Sequence, residues 1–283
     1  MKIVKSIKQM HSIVLDAKRK NKTIGFVPTM GYLHHGHCSL LRRCRKENDL
    51  SVLSIFVNPV QFSPTEDFTK YPRDLKRDEK FAKDEKVDII FYPSVDEIYP
   101  DGYRTFVQVD GLSDKLCGKF RPGHFRGVST VVMKLVNIVA PDTLYLGQKD
   151  AQQALIIQRM LKDLNTDVRV KILPTVREKS GLAMSSRNSY LAPEHHAKAT
   201  ILYRSLQHAK TIIEDGERNP ETVIEEMRVL ISSEGAEKID YIECVDAQTL
   251  LPLDDIKGDI LIAVAVWFGT ARLIDNITVS VTE

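Results

Sequence analysis

The chain has 283 residues, 43% hydrophobic and 28% charged, which is room for one large or two ordinary domains and the composition of a globular protein. Its 40 basic and 38 acidic side chains leave a net charge of +2, far from the basic excess of a dedicated nucleic-acid binder. No apolar run approaches the roughly 18 residues of a membrane span, no apolar core follows the lysines of the first residues as a secretory signal requires, and Cys38, Cys44, Cys117 and Cys244 include no Cys-x-x-Cys pair; the expectation is a cytoplasmic protein with reduced thiols, working without nucleic acid or membrane.

Apolar residues at Ile3, Ile7, Met10, Ile13, Val14 and Ala17 predict a helix in the later part of residues 1–20. Ile24, Gly25, Phe26 and Val27 read as a buried strand, and Pro28, which has no N–H to give, is expected to end its ladder. The run Pro28-Thr29-Met30-Gly31-Tyr32-Leu33-His34-His35-Gly36-His37 then leads into apolar residues at helical spacing over 39–48, so it is a strand-to-helix turn. Gly31 and Gly36 permit a tight turn and close approach of backbone to ligand. The helix start offers unpaired N–H groups and the positive end of its dipole, and His34 and His37 add ring donors. An anion, most naturally a phosphate, is expected there. The residues alone also leave open a metal site, because imidazole is a common ligand, and a plain solvated loop. Against the metal stand the missing His-Glu-x-x-His order and the lack of a Cys pair at zinc-ligand spacing.

Residues 50–57 predict a second strand, leaving through Asn58, Pro59, Val60, Gln61 and Phe62 into a turn at 63–67. A charged helix at 74–86 has Leu75, Phe81 and Ala82 as its apolar stripe, and a third strand covers 87–92. A strand at 105–109 and a Gly- and Arg-containing loop at 118–127 precede a mostly apolar helix at 128–139. A short strand at 143–146 exits through Gly147, Gln148, Lys149 and Asp150 into a helix at 151–164, and 168–173 is the last strand of this part. Alternating strands and helices with short links specify a parallel doubly wound sheet. Ligands of such sheets bind beyond the carboxyl ends of the strands, so the exits at 28–37, 58–61 and 147–153 are expected to converge on one composite site. Residues 174–188 read as a linking loop, 193–214 and 220–232 as helices, and 239–245, 260–266 and 271–281 as β-runs. The fold expected is α/β: a Rossmann-like doubly wound parallel sheet domain over 1–175, followed by a smaller α+β C-terminal domain over 176–283.

Lys149 has no place in an apolar stripe, and at the mouth of a sheet it can act as a point charge on phosphates; Asp150 suits the first turn of a helix. The amides of Asn58 and Gln61 can bind hydroxyls and carboxylates without adding charge, or can simply make a turn. Met184-Ser185-Ser186-Arg187 places hydroxyls beside one guanidinium, which forks onto phosphate oxygens.

The His34-x-Gly36-His37 turn after a first strand resembles the signature of the nucleotidylyl-transferase superfamily. The longer string Pro28-Thr29-Met30-Gly31-x-Leu33-His34-x-Gly36-His37 is similar to that of the pantoate–β-alanine ligase family. Met184-Ser185-Ser186-Arg187 resembles the Lys-Met-Ser-Lys-Ser loop of class I aminoacyl-tRNA synthetases, with arginine as the cation. The resemblance implies an ATP-dependent ligase that joins (R)-pantoate to β-alanine through a pantoyl adenylate, with Mg²⁺ on the phosphates, no metal site of the protein's own, small molecules as its partners and a homodimer as its assembly. It implies ATP contacts from Met30, Gly31, Tyr32, Leu33, His34, His35, Gly36, His37, Gly147, Gln148, Lys149, Asp150, Val176, Met184, Ser185, Ser186 and Arg187. Pantoate and β-alanine contacts are implied for Pro28, Thr29, Asn58, Gln61, Tyr71 and Gln153. Catalytic charge stabilisation falls to His34, His37, Lys149 and Arg187. His35 stands where the family most often carries an acidic residue, and Cys38 where it more often carries an aliphatic one. Two other classes are weighed. Another nucleotidylyl transferase acting on a phosphorylated acceptor calls for extra cations where Gln61 and Gln153 stand. A nucleotide- or RNA-binding module without activity needs no pair of phosphate-gripping loops, and the near-zero net charge argues against it.

Overall fold

The first strand is too short for periodicity to reveal. In the computed structural model, which describes residues 1–63 and 68–282, β1 (Lys2–Val4) pairs in parallel with β4 (Ile89–Phe91). Helix α1 (Ile7–Arg19) follows, its first turn capped by Ser6, and buries Met10, Val14 and Ala17. The core of the first unit is built on β2 (Ile24–Thr29), α2 (His35–Glu47), β3 (Leu50–Ile55) and α3 (Leu75–Asp84). Strand β2 is buried on both faces through Val27, as a central parallel strand must be. After β4 come α4 (Val95–Ile98), α5 (Cys117–Phe120), α6 (His124–Val139), β5 (Thr143–Gly147), α7 (Ala151–Asp163) and β6 (Arg169–Leu173). The six strands form one sheet in the order β1-β4-β3-β2-β5-β6, and every pair is parallel. The chain therefore winds outward from β2 to β4, then crosses to the other side of β2 for β5. The order reverses between β2 and β5, and the carboxyl ends at such a reversal are where open α/β sheets hold ligands.

The second unit closes the chain. It contains α8 (Pro193–Lys198), α9 (Ile201–Glu214), α10 (Pro220–Ser233) and a separate antiparallel sheet of β7 (Lys238–Asp246), β8 (Gly258–Phe268) and β9 (Ala271–Val281). Its core joins Leu202, Leu206 and Ile213 of α9 and Val223 and Met227 of α10 to Ile262 and Val264 of β8. Compactness divides the chain into Met1–Ser113, Arg121–Gln148 and Gln153–Pro174 on one side, and Asp114–Phe120, Lys149–Gln152 and Thr175–Glu283 on the other. Among the described residues no helix is long and apolar enough to cross a membrane. All four cysteines are buried and none forms a disulfide.

Several expectations are corrected. Pro28 does not end its ladder: β2 continues to Thr29, with Pro28 opposite Ser54 and Thr29 opposite Ile55. A parallel ladder alternates its donors between neighbours, so one missing N–H costs a single bond. Residues 105–109 form no strand; the Val107 N–H donates to Thr130 Oγ1 instead of to a ladder. The loop expected at 118–127 is partly helical, in α5 and in the start of α6, and the helix expected at 193–214 is broken between α8 and α9. The turn expected at 63–67 lies outside the described residues from 64 to 67.

The far end of α2 is tied to the sheet by a polar cluster. Lys171 Nζ and the Tyr145 hydroxyl both donate to Glu47 Oε2, at 2.8 and 2.7 Å, and Asn48 Nδ2 donates to the Tyr145 oxygen at 2.8 Å. The Lys171 ammonium foremost, then the Tyr145 hydroxyl and Arg43, hold the Glu47 carboxyl well below its ordinary 4.5, at about 2, against the opposing effect of burial. A depressed carboxyl stabilises the fold above its unfolded value, and that stabilisation is lost as pH falls from 4.5 through about 2. The expected result is an acid-unfolding midpoint that shifts to higher pH in Glu47→Gln, with a flatter dependence of the urea midpoint on pH below about 4.5.

Candidate active site

The turn after β2 is shaped by a residue that the sequence pattern does not single out. Gly31 and Tyr32 both take the left-handed conformation, with φ of 84° and 52°. The turn they make aims the N–H groups of Tyr32 and Leu33 at one point, which takes an anion. Here that anion is Asp78 of α3, whose carboxylate accepts from Tyr32 N–H at 2.9 Å and from Leu33 N–H at 2.7 Å. A Cβ on Gly31 would come within 2.8 Å of Asp78 Oδ2 and 2.9 Å of Ile55 Cγ2, so the glycine is required both for its φ and for this approach. These two N–H groups are thus engaged from within the protein, and Asp78 fixes the shape of the turn. Asp78 is buried, and burial pushes its carboxyl above the ordinary 3.8 while the two N–H donors oppose the shift. Asp78 falls on the apolar stripe between the partly buried Leu75 and the buried Ala82, where a carboxylate is out of place unless it serves a partner; that was the signal available in the sequence. Asp78→Ala leaves two N–H groups without a partner, and the expected loss is about 2 kcal/mol or more, read from urea unfolding, with Asp78→Asn losing less.

The histidines come next. His34 is the N-cap of α2: its Nδ1 accepts from Gly36 N–H at 3.2 Å, while His34 N–H reaches back toward His37 Nδ1 at 3.4 Å. This is a capping box built from two imidazoles. It changes the expectation of an open helix end, because the Gly36 N–H is already engaged. It also sets the tautomers: a neutral imidazole whose Nδ1 accepts an N–H carries its proton on Nε2. Each ring therefore has an Nε2–H donor, and the two rings lie together, centroids 4.1 Å apart. His35 is separate from this pair; it is exposed and meets the edge of Phe81. Cys38 packs inside, with its thiol pushed up to about 11 by burial.

The exit of β3 joins the same place. Gln61 ends a short 3-10 turn (Pro59–Gln61), and its Nε2 donates to Met30 Sδ at 3.1 Å. Asn58 is buried, with both Nδ2 hydrogens engaged, on Gln61 Oε1 and on the Gly127 carbonyl, each at 3.1 Å. Its Oδ1 accepts from the Tyr99 hydroxyl at 2.9 Å and from Val60 N–H at 3.4 Å. With donors and acceptor occupied, Asn58 orients Gln61. His124 supports the same residue: its Nδ1 lies 2.9 Å from the Gln61 carbonyl, and since a carbonyl only accepts, Nδ1 carries the proton and Nε2 accepts a hydrogen bond from the Arg121 guanidinium at 3.0 Å. A Cβ on Gly127 would lie 2.5 Å from the Val60 carbonyl, so only glycine lets α6 come this near. Tyr71 is buried with its ring edge-on to Phe62. Tyr99, His124 and Gly127 were not foreseen as supports of Gln61, because each lies far along the chain from it.

The exit of β5 places Gly147 and Gln148 beside β2, and the half-buried Gln153 follows in the first turn of α7. Lys149 and Asp150 belong with the second unit, where Lys149 Nζ sits 3.4 Å from Asp150 Oδ1. Gln152 is buried, accepting from Cys117 N–H and donating to the Lys115 carbonyl.

The linking loop expected at 174–188 is an ordered hairpin. Arg177 bridges Ala183, and Met184 N–H donates to the Val176 carbonyl at 3.0 Å. Ser185 caps a 3-10 turn (Ser186–Tyr190) by accepting from Arg187 N–H at 3.2 Å. Asn188 pins the turn to Glu178 and to the Ala183 carbonyl. The hairpin's base is Arg177, whose guanidinium forks onto the Asp275 carboxylate at 2.6 and 3.0 Å.

The first unit thus brings together residues 28–34, 36, 37, 58 and 61, and the second holds Lys149, Asp150, Val176 and residues 184–187. The family model described as Pantoate-beta-alanine ligase matches residues 2–278. A protein named pantothenate synthetase from Caldicellulosiruptor saccharolyticus is 55% identical over 281 residues, covering 99% of this chain and 100% of that protein. One of the same name from Thermotoga petrophila is 54% identical, covering 98% of this chain and 99% of its own. The crystal structure of pantothenate synthetase from Thermus thermophilus is similar with a TM-score of 0.93 at 43% identity, covering 98% of this chain and 99% of that one. That of a pantoate-beta-alanine ligase from Francisella tularensis, complexed with beta-gamma ATP and beta-alanine, has a TM-score of 0.82 at 38% identity, covering 98% of this chain and 97% of that one. This chain belongs to the pantoate–β-alanine ligase family.

Proposed function

We propose that the enzyme ligates (R)-pantoate to β-alanine at the expense of ATP, with the residue roles set out here. The pantoate carboxylate attacks the α-phosphorus, the bond from that phosphorus to the β-phosphate oxygen breaks, and pyrophosphate leaves. The β-alanine amine then attacks the acyl carbon of the adenylate, the acyl–oxygen bond breaks, and AMP leaves while the nitrogen gives up its proton. Neither step needs a covalent enzyme intermediate, so the protein's task is positioning and charge stabilisation. The Nε2–H donors of His34 and His37 stabilise the charge that grows on the departing phosphates. Lys149 and Arg187 add cations. Gln61 and Gln153 hold pantoate by its hydroxyls and carboxylate, and Gln61 serves the incoming amine. Mg²⁺ enters with ATP, held by the phosphate oxygens, and neutralises part of their charge; among the described residues no group of three or more His, Cys, Asp or Glu is placed to hold a metal.

The observation that supports this reading best is the engagement of both histidine Nδ1 atoms by backbone N–H groups, which puts the proton of each neutral ring on Nε2, together with a Gln61 side-chain amide held by Asn58 and Met30. Pyrophosphate release on adding ATP and pantoate, with pantothenate appearing only after β-alanine is added, tests it. An absence of pantoate-dependent pyrophosphate would sink it. The reading also carries a homodimer and a cytoplasmic location, tested by sedimentation equilibrium and by cell fractionation.

A further inference from the structure

Two neighbouring residues of β9 hold both of the second unit's cation-bearing segments. Asp275 is 2% exposed, and its carboxylate takes the fork of Arg177 and also the Asn276 N–H at 2.8 Å. Arg177 in turn donates to the Gly181 carbonyl at 3.1 Å and stacks over Tyr203 at 3.9 Å, so the base of the 176–184 hairpin is fixed to the strand. Arg187 sits on the 3-10 turn that follows this hairpin and is pinned to it by Asn188, which donates to Glu178 and to the Ala183 carbonyl. Asn276 is 5% exposed, and its Nδ2 donates to the Lys149 carbonyl at 2.8 Å. Successive strand residues point to opposite faces, so one dipeptide reaches two segments that the chain itself keeps apart. Neither contact involves the Lys149 ammonium or the Arg187 guanidinium. Both act on the backbone that carries them.

We infer that Asp275 and Asn276 are positioning residues for ATP, Asn276 acting through Lys149 and Asp275 acting through Arg177 on Arg187. The inference rests on the proposed phosphate roles of Lys149 and Arg187. A bond of this kind is worth about 1 kcal/mol, so misplacing Lys149 by Asn276→Ala should slow adenylate formation about 5-fold and raise KM for ATP, with little change in the reaction of preformed adenylate. A general loosening of the fold would slow both half-reactions alike.

The test is a pair of double-mutant cycles on single-turnover adenylate formation, with thermal unfolding of each variant as the check on folding. Asn276→Ala in a Lys149→Ala background should slow the step less than about 2-fold further, because the group it places is already gone. Asp275→Asn, which keeps volume but loses the charge facing Arg177, should likewise cost little once Arg187→Ala is present. In the crossed pairs, Asn276→Ala with Arg187→Ala and Asp275→Asn with Lys149→Ala, the effects should multiply. Ser280→Ala, at the exposed end of the same strand, should leave both half-reactions unchanged. Matched pairs that multiply as the crossed pairs do, in folded protein, would overturn the inference while leaving the phosphate roles intact. Lys149→Ala and Arg187→Ala that are each as fast as wild type would overturn the phosphate roles themselves, and the inference with them.

Discussion

Replacing His37 by glutamine, or His34 by asparagine, lowers kcat for pyrophosphate release by about 10²-fold or more, the scale of losing one transition-state donor. The choice of substitution matters because these rings do two jobs. His34 caps α2 through Nδ1, and His37 closes the reciprocal bond from the third helical position. Alanine at His34 removes the cap as well as the imidazole, at a cost of about 1 kcal/mol in stability. Asparagine is among the best N-caps and keeps the acceptor on Gly36 N–H, and glutamine at position 37 keeps the partner for His34 N–H. The expected pattern is therefore loss of activity in His34→Ala and His34→Asn alike, with a lower melting temperature only in His34→Ala. A His34→Asn enzyme with near wild-type kcat would mean that the imidazole serves the helix and not the phosphates.

What could be read from the sequence divides by distance along the chain. The strand, turn and helix at 24–47 are contiguous, and each carries its own signal, so the turn and its place in the sheet were legible. The parallel doubly wound order followed from alternation alone. Harder to read were the groups that fix this turn from afar. Asp78 lies 46 residues from Tyr32, in a charged helix where its place on the apolar stripe hints at burial but not at which N–H groups it meets. For Asn58 the resemblance implies a substrate contact, but nothing near it in the sequence announces Gly127 and Tyr99, which engage its amide on both sides. The hairpin at 176–184 looked like a link because its anchor, Asp275, is 98 residues away. Periodicity reports which face is buried, and it cannot report which distant residue a buried polar group will meet. Strand β1 escaped for the opposite reason, since three residues carry no period.

Arg187→Ala should slow adenylate formation strongly and slow the reaction of preformed pantoyl adenylate with β-alanine much less. In the first step the bond between the α-phosphorus and its bridging oxygen breaks and negative charge grows on the departing pyrophosphate, and a guanidinium that forks onto phosphate stabilises that change. The second expels AMP after pyrophosphate has gone, so a residue acting on the β- and γ-phosphates has nothing left to hold. The adenylate is a reactive anhydride from which water must be kept, which favours a cation brought to bear with ATP over one fixed for the whole cycle. Arg187 sits on a turn held by its Ser185 cap and by Asn188, contacts that alanine at 187 keeps, and unchanged thermal unfolding of Arg187→Ala is the check that the turn stands. Gln61→Ala is the contrasting variant. Its amide is held by Asn58 within the first unit and is proposed to serve pantoate and then β-alanine, so both half-reactions should fall together. Single-turnover kinetics begun from ATP and pantoate, and separately from isolated adenylate, distinguish the two. Equal slowing of both half-reactions by Arg187→Ala would remove its step-specific role and make it a clamp on the turn, whereas slowing of only one by Gln61→Ala would assign that amide to a single substrate.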